Sequence, residues 1–520
     1  MKLPLNIVEG SASSWKPTSV VTRHSDHTLG QTTGGLSVLF TVLCIVDLFG
    51  VFPVITLPKS IISCGIYGLP LVLFVFGLQL YTAVLLGRSW LLAQELTPCI
   101  REKSRFPYAA VAELAFGKPA RGLVIFLIDA TVFGAGIPNF ILASQNLQLF
   151  WWKITGGEVG VSYCVWMVII ALLLCPVMWL GSPKDMKPLA LTSVFIVTTV
   201  AVSTWTCILL DRETPPSAGG LLEYRPSVQD FLVAYGIIAF QFDIHPVLLT
   251  IQVDMKDSRR INSAVLGGFA VTAFMFAVTT LLAANRYGNN ISSNILQGMP
   301  PSIALYVVAL LVTLQLCLSS AVGNSALFQH IEDLLKIPRD FCVRRCLLRS
   351  GIVALAVFLG ESVPRFDLVM GLVGSTLTGP LMFIFPPLFF LKLCYKKSHM
   401  TKDNLLSNNN PGNRIQNGVE QNGRPQNGRS QNGGSFPLLF ENALETKYKT
   451  FSYSKIDVDE YKIKWYDVLL AVLVMLMGMM ATIVATYSSW SDTITYATFS
   501  PPCLVNATVA ARSFLRMTPT

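Results

Sequence analysis

Long apolar runs recur along nearly the whole chain, and they constrain its fold more than any other feature. Each has about 18 or more residues, enough for a helix to cross a hydrocarbon core about 30 Å thick. Of the 520 residues 52% are hydrophobic and 13% charged, whereas soluble domains carry about 25% charged residues. A soluble core cannot bury so many runs, because the backbone and side chains of each run need an apolar solvent. The sequence therefore predicts an all-α integral membrane protein.

About eleven spans are predicted from the apolar runs. The spans are 38–62, 66–92, 121–150, 162–180, 188–210, 229–252, 262–284, 301–328, 347–363, 367–391 and 465–487. The chain thus divides into a tail, 1–37; spans one to five, 38–210; spans six to ten, 229–397; a linker, 398–464; span eleven, 465–487; and a tail, 488–520.

The loop charges predict the orientation of these spans. Of the 39 Lys and Arg residues, 31 lie on segments that a cytosolic N-terminus places inside, and seven lie on outside segments. Positive loops face the cytosol, so this distribution predicts a cytosolic N-terminus. The two glycosylation sequons, at Asn290 and Asn506, fall on segments predicted to be outside, where glycosylation takes place.

The linker 398–464 is polar and repetitive. Gln-Asn-Gly recurs within it every five residues from 416 to 433. Such a composition buries too little apolar surface to fold, so we expect a disordered cytosolic tether. The motifs beginning at Tyr448 and Tyr453 fit signals for sorting adaptors, although four-residue matches also arise by chance.

Composition argues against several other partners. The net charge of +9 is concentrated in the cytosolic loops, so we expect a lipid bilayer around the chain and no nucleic acid. The eleven cysteines are scattered without paired metal-ligand spacing, and most are expected to be small buried hydrophobic residues. We predict no metal and no cofactor.

Two spans contain helix-breaking residues near their middle. The first has Gly50 and Pro53 and then Pro58, and the sixth runs from Tyr235 through polar residues to Pro246. Each break alone is also explained by an ordinary proline kink. Together they occupy corresponding positions in two five-helix halves that enter from opposite sides, which is the pattern of an inverted repeat.

The sixth span also carries a family resemblance. Residues 239–252, which read AFQFDIHPVLLTIQ, resemble the sixth-helix signature of the amino acid/auxin permease family. Weaker matches are Leu57-Pro58, Leu86-Gly87-Arg88, residues 143–147 and residues 373–375. The resemblance implies eleven helices, a cytosolic N-terminus, a leucine-transporter-like fold and amino acid transport. Family members commonly carry Gly-x-Gly in helix one, and this chain has Val51 and Pro53 there. This departure leaves open whether transport is retained or its substrate changed.

An amino acid substrate presents a carboxylate and an ammonium group. Free amides at the start of a half-helix suit the carboxylate, and unwound carbonyls suit the ammonium. The predicted substrate-binding residues are Gly50, Val51, Phe52, Pro53 and Val54 of the first span, with Tyr235, Gly236, Phe240 and Phe242 of the sixth.

The coupling ion is expected to be H⁺ or Na⁺. Asp243 and His245 lie within the sixth-span break and are the candidates for proton coupling, which we favour. Each also has a structural interpretation, as a helix cap or a hydrogen-bonded histidine. A sodium site could use Ser319, Ser320 and Asn324, which could equally be small residues that allow close helix packing.

The predicted function is secondary active transport of amino acids by alternating access. The alternatives are a nontransporting amino acid sensor and a sodium-coupled symporter. An enzyme is not expected, because the sequence has no HExxH or Gly-x-Ser-x-Gly motif. The expected location is the plasma membrane or an endolysosomal or vesicular membrane.

Overall fold

The described part of the chain is helical, apart from turns and one isolated β-bridge. The structure, a computed structural model, describes residues 35–98, 100, 106–155, 161–179, 186–212, 225–338, 341–363, 365–408 and 465–496. The helices are α1 Val38–Phe49, α2 Phe52–Ile55, α3 Leu57–Ile62, α4 Gly68–Leu96, α5 Pro107–Phe116, α6 Lys118–Ile154, α7 Tyr163–Trp179, α8 Met186–Leu210, α9 Val228–Gln241, α10 His245–Asp254, α11 Ile261–Tyr287, α12 Ile303–Leu334, α13 Val343–Ser362, α14 Phe366–Val373, α15 Phe385–Asn408 and α16 Trp465–Tyr496.

The predicted all-α membrane fold is confirmed. Within the described ranges, eight helical segments are long and apolar enough to cross a bilayer, and α1 and α7 are shorter apolar helices. The predicted ninth span corresponds to α13, which carries three arginines in its first two turns and is therefore less apolar. Most of the 1–37 tail, residues 409–464 of the linker and Asn506 lie outside the described residues.

Two features of the fold differ from the sequence prediction. The helix α5 lies in the loop between the second and third spans, where no helix was predicted. It begins at Pro107 and ends at Gly117, whose φ of 89° favours glycine. The Tyr108 hydroxyl donates to the Leu381 carbonyl at 2.5 Å, which ties α5 to the tenth span. At the other end of that span α15 continues through Asn408, past the predicted start of the linker.

The first span is broken into α1, α2 and α3. Gly50 follows α1 with φ 61° and ψ −147°, a conformation that residues with a Cβ rarely adopt. Pro53 and Pro58 stand at the second position of α2 and α3, where a missing amide hydrogen costs no helical bond. The predicted break is therefore present, and it begins at Gly50.

The sixth span is broken between Gln241 and His245. After α9 the chain turns through Phe242, Asp243 and Ile244, and the Ile244 amide donates to the Phe242 carbonyl at 3.2 Å. Pro246 is again the second residue of the helix that follows the break. Both broken spans stand first in their five-span halves, as the inverted-repeat prediction requires.

The first half of the sixth span, α9, packs closely on the tenth span, which has π-helical turns at Gly374–Thr378 and Pro380–Ile384. A Cβ at Gly374 would lie 2.0 Å from the Gly236 carbonyl oxygen, and one at Gly236 would lie 2.6 Å from the Gly371 carbonyl oxygen. The backbones therefore touch, and this contact requires glycine on both sides.

Gly374→Ala should destabilise the protein, because the added methyl group must push the two backbones apart. We expect the thermal unfolding midpoint in detergent to fall by several degrees, consistent with the cost of about 1–3 kcal/mol typical of overpacking. The matched control is Gly77→Ala in α4, where an added Cβ meets no atom within 4 Å. An equal fall for both variants would contradict the close contact.

Candidate functional site

The break in the first span leaves peptide groups without helical partners. The carbonyls of Asp47, Leu48 and Phe49 would bond to residues 51, 52 and 53 in a continuous helix, but residue 53 is proline. Among the described residues, the Val51 and Phe52 amides donate to no backbone carbonyl. The break therefore presents bare carbonyls at the end of α1 and bare amides at the start of α2.

The carbonyls of the sixth-span break receive a donor from the second span. The Gln79 amide nitrogen donates to the Ile238 and Ala239 carbonyls at 3.4 and 3.3 Å, and Gln79 is fully buried. A buried carbonyl without a donor is costly in a membrane, so Gln79 stabilises the end of α9. The sequence analysis missed Gln79, although an amide within an apolar span is the signal that could have revealed it.

A direct hydrogen bond joins the two breaks. Gln241 is the last residue of α9, and its amide nitrogen donates to the Thr56 hydroxyl oxygen at 3.0 Å. The Thr56 hydroxyl in turn donates to the Phe52 carbonyl at 3.1 Å. Both side chains are buried. The sequence analysis did not single out these two residues either.

A cavity of about 440 Å³ lies directly beside this link. It is lined by α3, by the start of α9, by α14 and by the end of α16. The lining residues nearest the breaks are Thr56, Ile237 and Met370, one from each of the first, sixth and tenth spans. The cavity volume falls in the usual range for small-molecule sites, about 300–1,000 Å³.

Away from the breaks, the cavity is lined by charged side chains. Lys59, Asp230, Arg365, Asp367 and Asp492 all border it, and Arg365 pairs with Asp367 at 2.8 Å. Gln229 donates to Asp492, which links α9 to α16. This wall therefore carries both signs of charge, which suits a passage for a zwitterion.

The structure brings the predicted first-span and sixth-span residues together at the breaks. Val51 and Val54 are 1% exposed, and the Phe52 ring meets the Phe240 ring edge-on at 6.2 Å. Neither ring lines the cavity, and the predicted residues Gly50 and Pro53 do not line it either. The cavity therefore stops at Thr56, Ile237 and Met370, with the aromatic pair packed at the adjoining break.

The other predicted sixth-span residues pack against neighbouring helices. Phe242 is fully buried in a cluster with Phe49, Phe76, Phe269 and Phe276, and its ring centroid lies 5.0 Å from that of Phe76. Tyr235 stacks on Phe383 at 6.0 Å, and Gly236 contacts Gly371. These contacts place all three residues in packing positions.

Asp243 and His245 lie together at the sixth-span break. The His245 Nδ1 atom and the Asp243 Oδ1 atom are 3.9 Å apart, and neither has a hydrogen-bond partner among the described residues. The His245 Nε2 atom contacts the Thr82 hydroxyl oxygen at 3.1 Å, and that hydroxyl also contacts the Leu78 carbonyl. If Thr82 donates to Leu78, then Nε2 carries a hydrogen. A neutral ring then leaves Nδ1 as a proton acceptor facing Asp243.

The residues considered for sodium face the third span. The Asn139 amide nitrogen donates to the Ser320 hydroxyl at 3.2 Å, and the Asn324 amide nitrogen donates to the Ser320 carbonyl at 3.0 Å. A Cβ at Gly136 would lie 3.5 Å from Asn324. These contacts agree with the packing alternative for Ser320 and Asn324, while Ser319 is half-buried.

Comparisons with known proteins identify the family of this chain. Residues 35–408 match the family described as "Transmembrane amino acid transporter protein". The chain belongs to this family. The resemblance seen in the sixth span is thereby confirmed, and amino acid transport in a multi-pass membrane protein is the function that the family supports.

The relatives of this transporter are named as transporters. Amino acid transporter AVT1B of Arabidopsis thaliana is 24% identical over 392 residues, which cover 74% of this chain and 69% of that protein. AVT1J of the same plant is 21% identical over 361 residues, which cover 68% and 82%. Vacuolar amino acid transporter 3 of Schizosaccharomyces pombe is 25% identical over 171 residues, which cover 32% and 26%. The solved structure of MhsT in complex with L-phenylalanine aligns with a TM-score of 0.49 at 11% identity, over 88% of this chain and 99% of that one.

The hydrogen bond between Thr56 and Gln241 should be measurable as an interaction energy. Thr56→Val and Gln241→Leu each remove one partner, so their effects on the free energy of unfolding in detergent should be non-additive by about 1 kcal/mol. The control pair is Thr56→Val with Gln252→Leu, because Gln252 instead bonds to the Gly87 carbonyl. That pair should be additive, and additivity in both pairs would contradict the link.

Proposed function

We propose that this protein is a secondary active transporter that moves amino acids across a membrane by alternating access, coupled to protons. The supporting observation is the pair of broken spans whose bare peptide groups lie beside a cavity of about 440 Å³. Bare amides and carbonyls at mid-membrane are costly unless a ligand or a neighbouring group engages them.

The two ends of a zwitterion have separate partners in the proposed site. The Val51 and Phe52 amides, at the positive end of α2, bind the carboxylate. The carbonyls around Phe240 and at the end of α1 bind the ammonium group. The Phe52 and Phe240 rings must separate to admit the substrate, so they act as a gate between cavity and site. Gly50 provides the backbone freedom, although Val51 and Pro53 replace the glycines that family members commonly carry there.

The cavity is proposed to open to the outer face. It lies at the start of α9 and the end of α16, which the loop charges place outside. Cys164, at the start of α7, is disulfide-bonded, and Asn290 is exposed in the turn after α11. Disulfides and glycans both form on the outer or lumenal face, which supports this orientation. The vacuolar name of one relative favours an endomembrane location.

The pair of Asp243 and His245 is the candidate for proton coupling at the sixth span. Because the facing Nδ1 and Oδ1 atoms have no other partner, one proton added to either group completes a contact across the pair. The contacts of Ser320 and Asn324 with α6 make them weaker candidates for a sodium site.

A second candidate function is a nontransporting amino acid sensor. The Leu36 amide donates to the Asp254 carbonyl at 2.8 Å, and the Lys256 amide donates to the Leu36 carbonyl at 3.0 Å. The inner end of the sixth span is therefore tied to the chain just before the first span. Movement at the site would reach the N-terminal tail through this contact, as a sensor would need.

Uptake by purified protein in liposomes separates these functions. We expect a panel of amino acids to identify at least one that accumulates when a pH gradient is imposed and not when a sodium gradient is imposed. A sensor would bind an amino acid without accumulating it. Accumulation driven by sodium alone would favour the sodium-coupled alternative.

His245→Ala should flatten the pH dependence of uptake, because the variant lacks the titratable ring that faces Asp243. Initial uptake rates across a pH series provide the measurement. Thr82→Val is the matched control: it removes the hydroxyl that contacts the ring but retains the ring itself. Unchanged pH dependence in correctly inserted His245→Ala protein would remove His245 from the coupling role.

A further inference from the structure

A second buried polar cluster lies on the inner side of the first-span break. It consists of Asp47 on α1, Ser193 on α8 and Gln315 on α12. The Ser193 hydroxyl oxygen is in hydrogen-bond contact with the Asp47 Oδ1 atom, and it lies 2.7 Å from the Gln315 Oε1 atom. Ser193 is 3% exposed and Gln315 is 1% exposed. Three different spans therefore meet through these side chains, three residues before Gly50.

No cationic side chain neutralises Asp47 within the described part of the chain. Cys44, one turn earlier on α1, is a titratable neighbour of Asp47, and Asp254 at the end of α10 is a neighbour of Cys44. The helix α11 packs on α1 and has no titratable side chain from Ile261 to residue 285. On α8 the ionisable residues nearest Ser193 are Lys187, about 9 Å before it along the helix, and Cys207, about 21 Å after it. On α12 Cys317 is the closest titratable residue to Gln315 along the chain. An ionised carboxylate without a counter-ion is costly inside a membrane.

The hydrogen bonds in this cluster depend on whether Asp47 is protonated. The Ser193 hydroxyl has one hydrogen but contacts two acceptor oxygens, on Asp47 and Gln315. Both contacts are hydrogen bonds only when Asp47 is protonated, since its O–H then donates to Ser193 while Ser193 donates to Gln315. When Asp47 is ionised, Ser193 must donate to Asp47. The Gln315 amide must then turn over, so that its nitrogen donates to Ser193.

The orientation of the Gln315 amide determines which of its atoms faces the first-span break. The Gln315 side chain is within reach of Asp47, but no described residue makes a hydrogen bond of ordinary geometry with the Gln315 Nε2 atom. This atom lies 3.8 Å from the position a Cβ would take at Gly50, beside the bare carbonyls at the end of α1. With Asp47 protonated, the break therefore faces a donor. With Asp47 ionised and the amide turned over, the break faces a second acceptor, which repels those carbonyls.

We propose that the transported proton also binds Asp47, as a second site in addition to the Asp243–His245 pair, and that Ser193 and Gln315 relay the protonation state of Asp47 to the break in the first span. The inference rests on the proposed transport function and assigns a coupling residue within it. Asp47 and Gln315 act as positioning residues for the substrate-binding backbone of the first span, because they set whether the break faces a donor or an acceptor.

The test uses the purified full chain in liposomes with the membrane potential held at zero and a radiolabelled mixture of standard L-amino acids as the probe. Exchange without a gradient measures binding and alternating access. A trapped pH dye measures proton movement. A gradient of about one pH unit, imposed in each direction in turn, supports accumulation of up to about ten-fold if one proton moves per amino acid, because one unit is a factor of ten in an equilibrium constant.

Asp47→Asn should still exchange amino acids, because the amide can donate to Ser193 as the protonated carboxyl does, but it should show no gradient-driven accumulation and no proton movement. Ser193→Ala removes the hydroxyl that connects Asp47 to Gln315, so this variant should also lose gradient-driven accumulation. The matched control is Glu113→Gln, which removes an exposed carboxylate paired with Arg121 and should behave as wild type.

Each other outcome overturns one statement. Accumulation by Asp47→Asn at the wild-type level overturns the role of Asp47. If the Asp47→Asn variant does not exchange amino acids, the Ser193→Ala variant provides the test instead. Proton movement at the wild-type level in Ser193→Ala then overturns the relay. Wild-type protein that accumulates under a sodium gradient but moves no protons overturns the proton assignment. Wild-type protein that exchanges no amino acid overturns the proposed function itself.

Discussion

A peptide group inside a bilayer that has lost its helical partner must find another one, because lipid supplies none. Both broken spans meet this constraint with side chains from neighbouring helices. Gln79 donates to the carbonyls at the end of α9, and Thr56 accepts from Gln241 across the two breaks. The amides of Val51 and Phe52 and the carbonyls at the end of α1 remain without backbone partners. These unpaired amides and carbonyls are the kinds of group that suit the carboxylate and the ammonium of a zwitterion.

The close contact of α9 with the tenth span determines where the cavity can form. Gly236 meets Gly371 and Gly374 backbone to backbone, so no space remains between these helices at that level. Near the starts of α9 and α14, α3 and α16 complete the wall around the charged cavity. The eleventh span thus contributes Asp492 to the cavity although it lies outside the two five-span halves.

Ionisable groups stand on either side of the breaks in different surroundings. The cavity wall has paired charges, such as Arg365 with Asp367, at positions that water can reach. Among the described residues, Asp47 contacts Ser193 and forms no ion pair with a cationic side chain. Within the same part of the chain, Asp243 has only His245 as a basic neighbour. Groups of the first kind make the cavity wall polar, whereas groups of the second kind are costly to leave ionised inside a membrane.

The sequence by itself determined the membrane fold, the two broken spans and the approximate positions of the spans, although the helices of the tenth and eleventh spans run 17 and 9 residues past their predicted ends. These features are local, because span length, Gly50 and the prolines act on the segment that contains them. Only the tertiary structure decided which side chains reach the breaks. Phe242 and Tyr235 belong to packing clusters, while Gln79, Thr56 and Ser193 come from chain positions far from their partners. Hydrophobic periodicity shows that a helix is buried in lipid or protein, but the identity of the neighbour depends on how all the helices pack together.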